Sequence, residues 1–361
     1  MRRAVRLNKS HAGSPRSFTA WLGFEISKLN PGYFALVMAT GIVSNAMFFT
    51  GHRGVSDALF AVALLSLLWL CAATLWRATR FRRALWADLI NPRLVFSFFT
   101  IVAALDVFGG GLCLRGHNEI ALPLWLFAFV LWFFLLYFSF GVLTFLNRAE
   151  EANVIHGGWL IAIVGTESLV ILGAQIAPLF GEHAPAVFVL IHMLWGVGLG
   201  LYAIFITLFA HRIFFFEVKP ADLSPLLWVV MGAGAISTNA GSILILTKSG
   251  LPFLESIRPF IDGVTLLMWA WSAWLIPLLL MFDIWKHGVR KEPIRYTPSL
   301  WGFVFPLGMF ALASGRLSLA SDFTLLQSVS YVMVWIALFV WAATAIGLAK
   351  AMWRSFSASP R

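Results

Sequence analysis

Residues 30–44 read NPGYFALVMATGIVS and open the first long apolar segment of the chain. The proline in this stretch fits the first turn of a helix, where its missing N–H would have no partner anyway. Small residues follow within the apolar run, and a stripe of such residues lets another backbone or a solute come close. They are Ala39, Thr40, Gly41 and Ser44. The stretch therefore predicts a membrane helix that begins near Pro31 and has one small, partly polar face.

The composition predicts an integral membrane protein. Of the 361 residues, 60% are hydrophobic and 12% are charged, and the mean hydropathy is +0.86, whereas a soluble domain is about a quarter charged. The length accommodates about ten spans of roughly 20 residues with short loops. We therefore expect the lipid bilayer as the main partner. The net charge of +10 is better explained by cytoplasmic loops than by a nucleic-acid surface.

Ten apolar segments are long enough to cross a bilayer. They span residues 31–50, 55–76, 92–114, 120–146, 157–180, 184–210, 225–247, 262–282, 299–317 and 323–349. If the chain crosses the membrane at each of these segments, 21 of the 26 Lys and Arg residues lie on one side of the membrane and 5 on the other. The positive-inside rule then predicts cytoplasmic N- and C-termini.

The ten predicted segments divide the chain into three regions. Residues 1–30 form a cytoplasmic N-terminal segment, in which 18–29 fit a short helix at the membrane interface. Residues 31–350 form the transmembrane domain, and residues 351–361 form a cytoplasmic tail. The N-terminus has no apolar core followed by a cleavage site, so we do not expect a signal peptide.

A loose internal repeat relates the odd-numbered segments. They begin near Pro31, Pro92, His156, Pro225 and Pro298, and they collect glycine and small polar residues, whereas the even segments are rich in bulky apolar residues. This division predicts two rings, in which the inner helices pack closely and line a path while the outer helices face lipid. The predicted fold is therefore an all-α membrane protein of ten helices. They form five hairpins in a pseudo-five-fold arrangement, with the odd helices lining a central pore.

Two carboxylates fall well inside odd segments. Burying one in a bilayer costs on the order of 2.5–3.5 kcal/mol on insertion scales, so Asp106 and Glu167 are candidates for a role in a cavity, including a cycle of proton binding and release. The alternative for each is a neutral carboxyl group hydrogen-bonded to a neighbouring helix. Arg316 is the candidate partner of an anion or of Asp106, or else a side chain that reaches the lipid headgroups.

The candidate pore-lining or substrate-binding residues are small or polar and lie on the odd segments. They are Gly41, Ser44, Asn45, Asp106, Gly109, Thr166, Glu167, Ser168, Thr238, Asn239 and Arg316. The uncharged polar members either face the pore or hold helices together.

The first segment, Pro31 followed by the run MATGI at 38–42, resembles the start of the tellurite-resistance/C4-dicarboxylate transporter family, which includes the plant slow anion channels. Five hairpins with an internal N-terminus extend the resemblance over nearly the whole chain, and Trp301 with Phe305-Pro306 extends it more weakly to the ninth segment. The resemblance implies a homotrimer in which each protomer has its own pore, lined by the five odd helices. It also implies a phenylalanine of the ninth helix as the gate, for which Phe305 is the candidate, with Phe303 and Phe310 as alternatives.

The resemblance leaves several functions open. They are proton-linked transport of C4-dicarboxylates such as malate, passive flow of inorganic anions such as chloride or nitrate, and export of sulfite or of tellurite-related anions. The buried acids depart from the largely apolar pores of the anion channels and favour a role for protons. We expect location in the bacterial inner membrane.

Enzyme activity is not expected, because the chain contains no HExxH, Walker A, CxxCH or GxSxG motif. No cofactor or metal is expected either, since the two cysteines, Cys71 and Cys113, form no metal motif. A remote alternative is a redox subunit that binds haem through His192, the one histidine deep in an even segment. The seventeen tryptophans are explained in part by belts at the membrane interfaces.

Overall fold

The computed structural model describes residues 18–146, 156–220 and 222–357, and all regular structure in these ranges is helical. The basic N-terminal residues 1–17 and the last four residues of the predicted tail lie outside the described part. The α-helices are α1 Phe18–Ser27, α2 Ala35–Phe49, α3 Arg53–Arg80, α4 Arg82–Leu89, α5 Phe99–Leu114, α6 Asn118–Gly141, α7 Ile161–Ile176, α8 Ala184–Phe215, α9 Val229–Leu246, α10 Pro252–Ser256, α11 Arg258–Asp283, α12 Trp301–Ser321 and α13 Leu325–Ser357.

Nine helical stretches in the described residues are long and apolar enough to cross a membrane, which confirms the all-α membrane class. One of them, Gly157–Phe215, contains both α7 and α8 and breaks at Gly181, where φ is 55°. Glycine adopts this conformation at no steric cost. The two helices run antiparallel, because Glu167 lies beside Gly198 and Gly173 lies beside Ile191. Counted separately they give ten long helices, and the number of membrane crossings stays a prediction.

Each of the five predicted repeats begins in the same way. A short 3-10 turn precedes each of α2, α5, α7, α9 and α12. The turns are Pro31–Phe34, Val95–Phe98, Gly157–Leu160, Pro225–Trp228 and Pro298–Leu300. Their spacing matches the repeat seen in the sequence, and three of them open with the proline that the sequence placed there.

The five inner helices pack in a closed ring, in the order α2, α5, α7, α9, α12 and back to α2. The contacts of Gly41 with Val107 and of Asn45 with Gly111 advance in the same direction along α2 and α5, so these neighbours run parallel. Close contacts at glycines link the helices around the ring. Gly41 of α2 lies against Val107 of α5, Gly165 of α7 against Phe99, and Gly232 of α9 against Pro306 of α12. Gly308 closes the ring, because it lies against Val43 of α2. The missing side chains at these positions let the helix backbones approach closely.

The second helix of each hairpin packs outside its own inner helix. The outer helices are α3, α6, α8, α11 and α13. Four stretches that contain inner helices are 72, 89, 94 and 83% buried, whereas those containing α3, α6, α11 and α13 are only 28, 33, 28 and 17% buried. The exposed side chains of the outer helices are largely apolar, which fits a surface in contact with lipid.

Tryptophans of the outer helices fasten them to the next hairpin. On four of the five outer helices, an indole N–H donates a hydrogen bond to the inner helix that follows along the ring. These bonds run from Trp132 to Thr166 Oγ1 (2.8 Å), Trp195 to the Ser237 carbonyl (3.2 Å), Trp269 to Ser314 Oγ (2.9 Å) and Trp341 to Thr40 Oγ1 (2.9 Å). Interfacial belts do not account for these four tryptophans, since their partners lie within the ring of inner helices.

The two short helices α1 and α4 meet at the end of α3. Arg77 of α3 is buried, donates to the Ser27 carbonyl at the end of α1 (3.2 Å), and forms an ion pair with Asp88 of α4 (2.7 Å). The helix expected within 18–29 is thus present as α1 and is held against α3. Its placement at a membrane interface stays a prediction.

Candidate functional site

A narrow cavity lies on the axis of the ring and is lined by all five inner helices. The space open to the centre of a water molecule is about 20 Å³, which is enough for roughly one or two waters. Five of the predicted site residues line it, and these are Asn45, Asp106, Ser168, Asn239 and Arg316. The ring therefore brings together residues that are up to 271 positions apart in the sequence, between Asn45 and Arg316.

Arg316 is fixed in the cavity by its neighbour on the ring. Its Nη1 donates a hydrogen bond to Asn239 Oδ1 of α9 (3.0 Å), and the amide nitrogen of Asn239 contacts the sulfur of Met309 (3.4 Å). In the structure as described, Arg316 forms no ion pair with Asp106, although both line the cavity. The remaining guanidinium donors are consequently available to a solute in the cavity that Arg316 lines.

Asp106 and Asn45 each leave one oxygen without a partner. Asp106 is 2% exposed; its Oδ2 accepts from Ser168 Oγ (2.8 Å), and its Oδ1 has no hydrogen bond. Asn45 is 5% exposed; its amide nitrogen donates to the Val107 carbonyl (3.0 Å), and its Oδ1 has no partner. Buried polar atoms are normally paired, so two orphaned acceptors beside one cavity indicate a place for a solute or a water.

The helical register places Phe305 on the cavity-facing stripe of α12. Met309, Leu312 and Arg316 line the cavity, and Phe305 precedes them at spacings of four, seven and eleven residues, which repeat on one helix face. Phe305 is fully buried but does not line the cavity itself. It therefore lies one turn from the cavity, towards the start of α12.

The alternative phenylalanines have other partners. Phe303 packs edge to face against Trp228 (centroids 4.5 Å apart), and the indole N–H of Trp228 in turn donates to Asp283 at the end of the outer helix α11. Phe310 stacks on Trp269 of α11 (5.8 Å). Both rings are thus engaged on the α11 side of α12.

Glu167 lies away from the cavity, although it is adjacent in sequence to Ser168. Its Oε1 accepts from Ser237 Oγ of α9 (3.1 Å), its Oε2 has no partner, and the carboxyl group fills the space above Gly198 of the outer helix α8. Consecutive helical residues point about 100° apart, which explains how one neighbour faces the cavity and the other faces α8 and α9. Glu167 therefore belongs to a helix–helix interface.

Five other predicted residues take part in helix packing. Ser44 exchanges hydrogen bonds with Ser56 of α3, and Thr166 accepts from Trp132 of α6. Thr238 donates to the carbonyl of Gly234 in its own helix. Gly41 lies against Val107 and Gly109 against Leu172, each between neighbouring inner helices.

Seven cavity residues were not predicted from the sequence; they are Ile42, Val107, Gly110, Ile171, Gln175, Met309 and Leu312, of which only Gln175 has a polar side chain. Gln175 follows Ser168 and Ile171 at spacings of seven and four residues, so extending the stripe from Ser168 would have identified it. Its side-chain nitrogen donates to the Ile171 carbonyl (3.0 Å).

His156 positions the start of the inner helix α7. Its Nδ1 accepts from the Gly158 N–H (3.0 Å), and its Nε2 donates to the Arg93 carbonyl (2.9 Å), so the neutral ring satisfies both contacts. Burial lowers the pKa of His156 below its usual range; the bond to the Arg93 carbonyl opposes this shift and the charge of Arg93 adds to it. Asn30 caps the first repeat similarly, through a bond from the Gly32 N–H (2.8 Å).

His192 lies on the outer helix α8 and is engaged with the backbone of that helix. Its Nδ1 lies 2.6 Å from the Phe188 carbonyl of its own helix. Among the described residues, no group of three or more His, Cys, Asp or Glu side chains is placed to hold a metal ion.

Comparison with known proteins gives one family and several relatives. The family model described as SLAC1, voltage-dependent anion channel, matches residues 28–349. Two proteins of Methanocaldococcus jannaschii, each named an uncharacterized transporter, are 23 and 24% identical over 337 and 333 residues, which cover 89% of this chain and 92 and 94% of theirs. An uncharacterized membrane protein of Mycobacterium tuberculosis is 36% identical over 148 residues, or 41% of this chain and 75% of its own.

Proposed function

The chain belongs to the SLAC1 voltage-dependent anion channel family, and on that premise we propose that small anions cross the membrane along the axis of its five inner helices. The observation that carries the proposal is the axial cavity, which all five helices line and in which Arg316 provides a positive charge. A half-buried cation held by a neutral partner, Asn239, attracts an anion more strongly than one already paired with a carboxylate. The family is one of channels and transporters, which argues against an enzyme.

Phe305 is the proposed gate of this path. The cavity holds only about one or two waters, and Phe305 lies one turn before it on the same stripe of α12. Its neighbour Pro306 cannot donate a backbone hydrogen bond, which loosens the helix at this point. A rotation of the aromatic side chain would then widen the path without moving the whole ring.

We propose a broad substrate class and then narrower candidates within it. The family and the positive charge of Arg316 both support small anions as the broad class. Within them, we favour proton-linked transport of malate-like C4-dicarboxylates or tellurite-related export, and we assign the proton role to Asp106, because Glu167 lies away from the cavity. A passive path for chloride or nitrate, or export of sulfite, is the alternative within the same family.

The proposed setting is a homotrimer in the bacterial inner membrane, with both termini in the cytoplasm and one path in each protomer. The apolar faces of the outer helices support contact with lipid or with a second copy. The bias of Lys and Arg residues supports the orientation.

Flux into proteoliposomes tests the proposal. Purified protein is reconstituted, and uptake of chloride, nitrate and malate is measured with and without an inward proton gradient, beside vesicles without protein. We expect protein-dependent anion flux that falls at least tenfold in Arg316→Gln, because the only positive charge lining the cavity among the described residues is lost. Absence of flux for every anion contradicts the proposal. Flux of inorganic anions that ignores the gradient supports the passive alternative.

A further inference from the structure

The axial cavity contains a donor and several acceptors, and their arrangement narrows the class of anion. We propose that it binds a small, singly charged oxyanion that still carries an O–H group, such as hydrogencarbonate. This inference rests on the proposed function, because it concerns the same cavity. Three observations lead to it, which concern the protonation of Asp106, the net charge of the cavity and the unpaired acceptors.

The hydroxyl of Ser168 is shared between two acceptors. Ser168 Oγ lies 2.8 Å from Asp106 Oδ2 and 2.9 Å from the Gly165 carbonyl, yet it has one hydrogen to donate. If Asp106 is a neutral carboxylic acid, its own O–H donates to Ser168 Oγ and the serine hydrogen goes to Gly165. Both hydrogens then have an acceptor, and only Asp106 Oδ1 stays unpaired. If Asp106 is ionised, one of the two acceptors loses the serine hydrogen, and among the described residues no cation lies within 4 Å of the buried carboxylate.

If Asp106 is neutral, the net charge of the cavity determines the charge of the ligand that it favours. Arg316 is then the only charged side chain among the described residues that line the cavity, so the cavity has a net charge of +1. One bound monoanion balances this charge. A dianion would leave one negative charge uncompensated in a site of low dielectric, which is costly.

The unpaired acceptor oxygens of the cavity require that the ligand also carry a hydrogen-bond donor. Asp106 Oδ1 and Asn45 Oδ1 lack partners in the structure, whichever protonation state Asp106 has at Oδ2. A halide or nitrate offers only lone pairs to these oxygens and leaves them unsatisfied. An anion with an O–H group donates it to Asp106 Oδ1 while its charged oxygens accept from Arg316.

Hydrogencarbonate and nitrate are a matched pair of probes, because both are small, planar monoanions and only one has an O–H group. Thermal unfolding of the purified full-length protein is measured at mildly alkaline pH in titrations with the sodium salt of each. A ligand that binds only the folded state stabilises it by RT ln(1 + [L]/Kd), so the rise in unfolding temperature with ligand concentration gives an apparent Kd. We expect an apparent Kd for hydrogencarbonate about fivefold or more below that for nitrate, the equivalent of one hydrogen bond.

Variants separate the cavity from general salt effects. Asp106→Leu removes the acceptor and should bring the two Kd values to near equality, whereas Asp106→Asn retains an acceptor oxygen and should keep most of the preference. Glu167→Gln removes the other buried carboxyl group, which lies away from the cavity, and should leave the ratio as in the wild type. If Asp106→Leu does not fold, the wild-type ratio and its retention in Glu167→Gln still decide the question.

The outcomes distinguish this inference from the proposed function. Equal Kd values in the wild type, or a preference for nitrate, overturn the inference even if anions cross proteoliposomes. A preference that survives Asp106→Leu also overturns it. Conversely, hydrogencarbonate-specific binding lost in Asp106→Leu supports the inference, even if no anion flux is found and the transport proposal fails.

Discussion

Phe305 combines complete burial with a position on the cavity-facing stripe of α12. The neighbouring rings of Phe303 and Phe310 pack against Trp228 and Trp269 instead. If Phe305 is the gate, Phe305→Ala should raise anion flux in proteoliposomes by roughly tenfold, which corresponds to removing about 1.4 kcal/mol from the barrier. The matched controls are Phe303→Ala and Phe310→Ala, which remove the same volume elsewhere on the helix. A larger increase in either control would assign the gate to that residue.

His156 makes the stability of the fold depend on pH. Its pKa is lowered in the folded protein by burial, while the unfolded value is about 6.5. A lowered pKa means that the unfolded chain binds more protons, so stability is fully present above about pH 6.5 and falls as the pH drops from there towards the folded pKa. Protonation of Nδ1 would also remove the acceptor of the Gly158 N–H.

Unfolding temperature measured as a function of pH tests this reading of His156. The wild type should lose stability below about pH 6.5, and His156→Asn should show a smaller loss, because asparagine caps the equivalent turn at Asn30 and does not titrate. His156→Ala should lower stability by about 1 kcal/mol at neutral pH through loss of the cap. Identical pH profiles for the wild type and His156→Asn would show that another group is responsible.

At the level of single residues, the sequence predicted which residue types lie at membrane depth but not where each side chain points. Asp106 and Glu167 appeared equivalent, as buried acids on inner helices. The rotation of α7 about its axis separates them, because it directs Ser168 to the cavity and Glu167 to α8 and α9. That rotation is set by packing of α7 against four neighbouring helices, α5, α6, α8 and α9, and it cannot be read from the sequence of α7 alone.

At the level of helices, the contact between α9 and α12 depends on a missing side chain. A Cβ atom at Gly232 would lie 2.7 Å from Pro306 Cγ and 3.2 Å from Pro306 Cα, and the rigid proline ring cannot move aside. Gly232→Ala should therefore push the two helices apart, lower the unfolding temperature and disturb the gate region. A cost of about 1–3 kcal/mol is typical of such overpacking.

Gly196→Ala is the matched control for this contact. Gly196 lies in the long helix α8, and nothing stands within 4 Å of a Cβ atom built there. Alanine should be neutral or slightly stabilising at that position, because it favours helix by about 1 kcal/mol over glycine. If both substitutions had equal effects on the unfolding temperature, the close approach of α9 and α12 would not be the reason for Gly232.

The repeat of helices was predictable because it leaves a simple pattern in the sequence. Prolines begin the inner helices at Pro31, Pro225 and Pro298, and small residues recur within them. The pairing of outer helices with the next hairpin was not predictable, since it depends on single indole N–H groups such as that of Trp341, whose acceptor Thr40 is 301 residues away. Hydropathy treats such a tryptophan as one more apolar residue.

At the level of the whole molecule, the path exists only if the first and last hairpins meet. The chain is sequential around the ring up to α12, and the contact of α12 with α2 closes it. Gly308 and Val43 form part of this contact, because a Cβ atom at Gly308 would lie 3.1 Å from Val43 Cγ2. The bond from Trp341 of α13 to Thr40 of α2 fastens the same junction from outside (2.9 Å).

Because the contact of α12 with α2 closes the ring of inner helices, we predict that a disulfide can join these two helices. In a protein without Cys71 and Cys113, Val43→Cys with Gly308→Cys should cross-link under mild oxidation, because a Cβ atom at Gly308 would lie 3.1 Å from Val43 Cγ2, an atom at the position that a cysteine sulfur can take. A protease site inserted between α11 and α12 makes the result visible, since the two fragments stay together on a gel until a reductant is added. Pairing Gly308→Cys with Leu169→Cys, from an inner helix that does not adjoin α12 in the ring, is the control. Cross-linking in the control but not in the test pair would mean that the helices are ordered differently, and the axial cavity would then lose its basis.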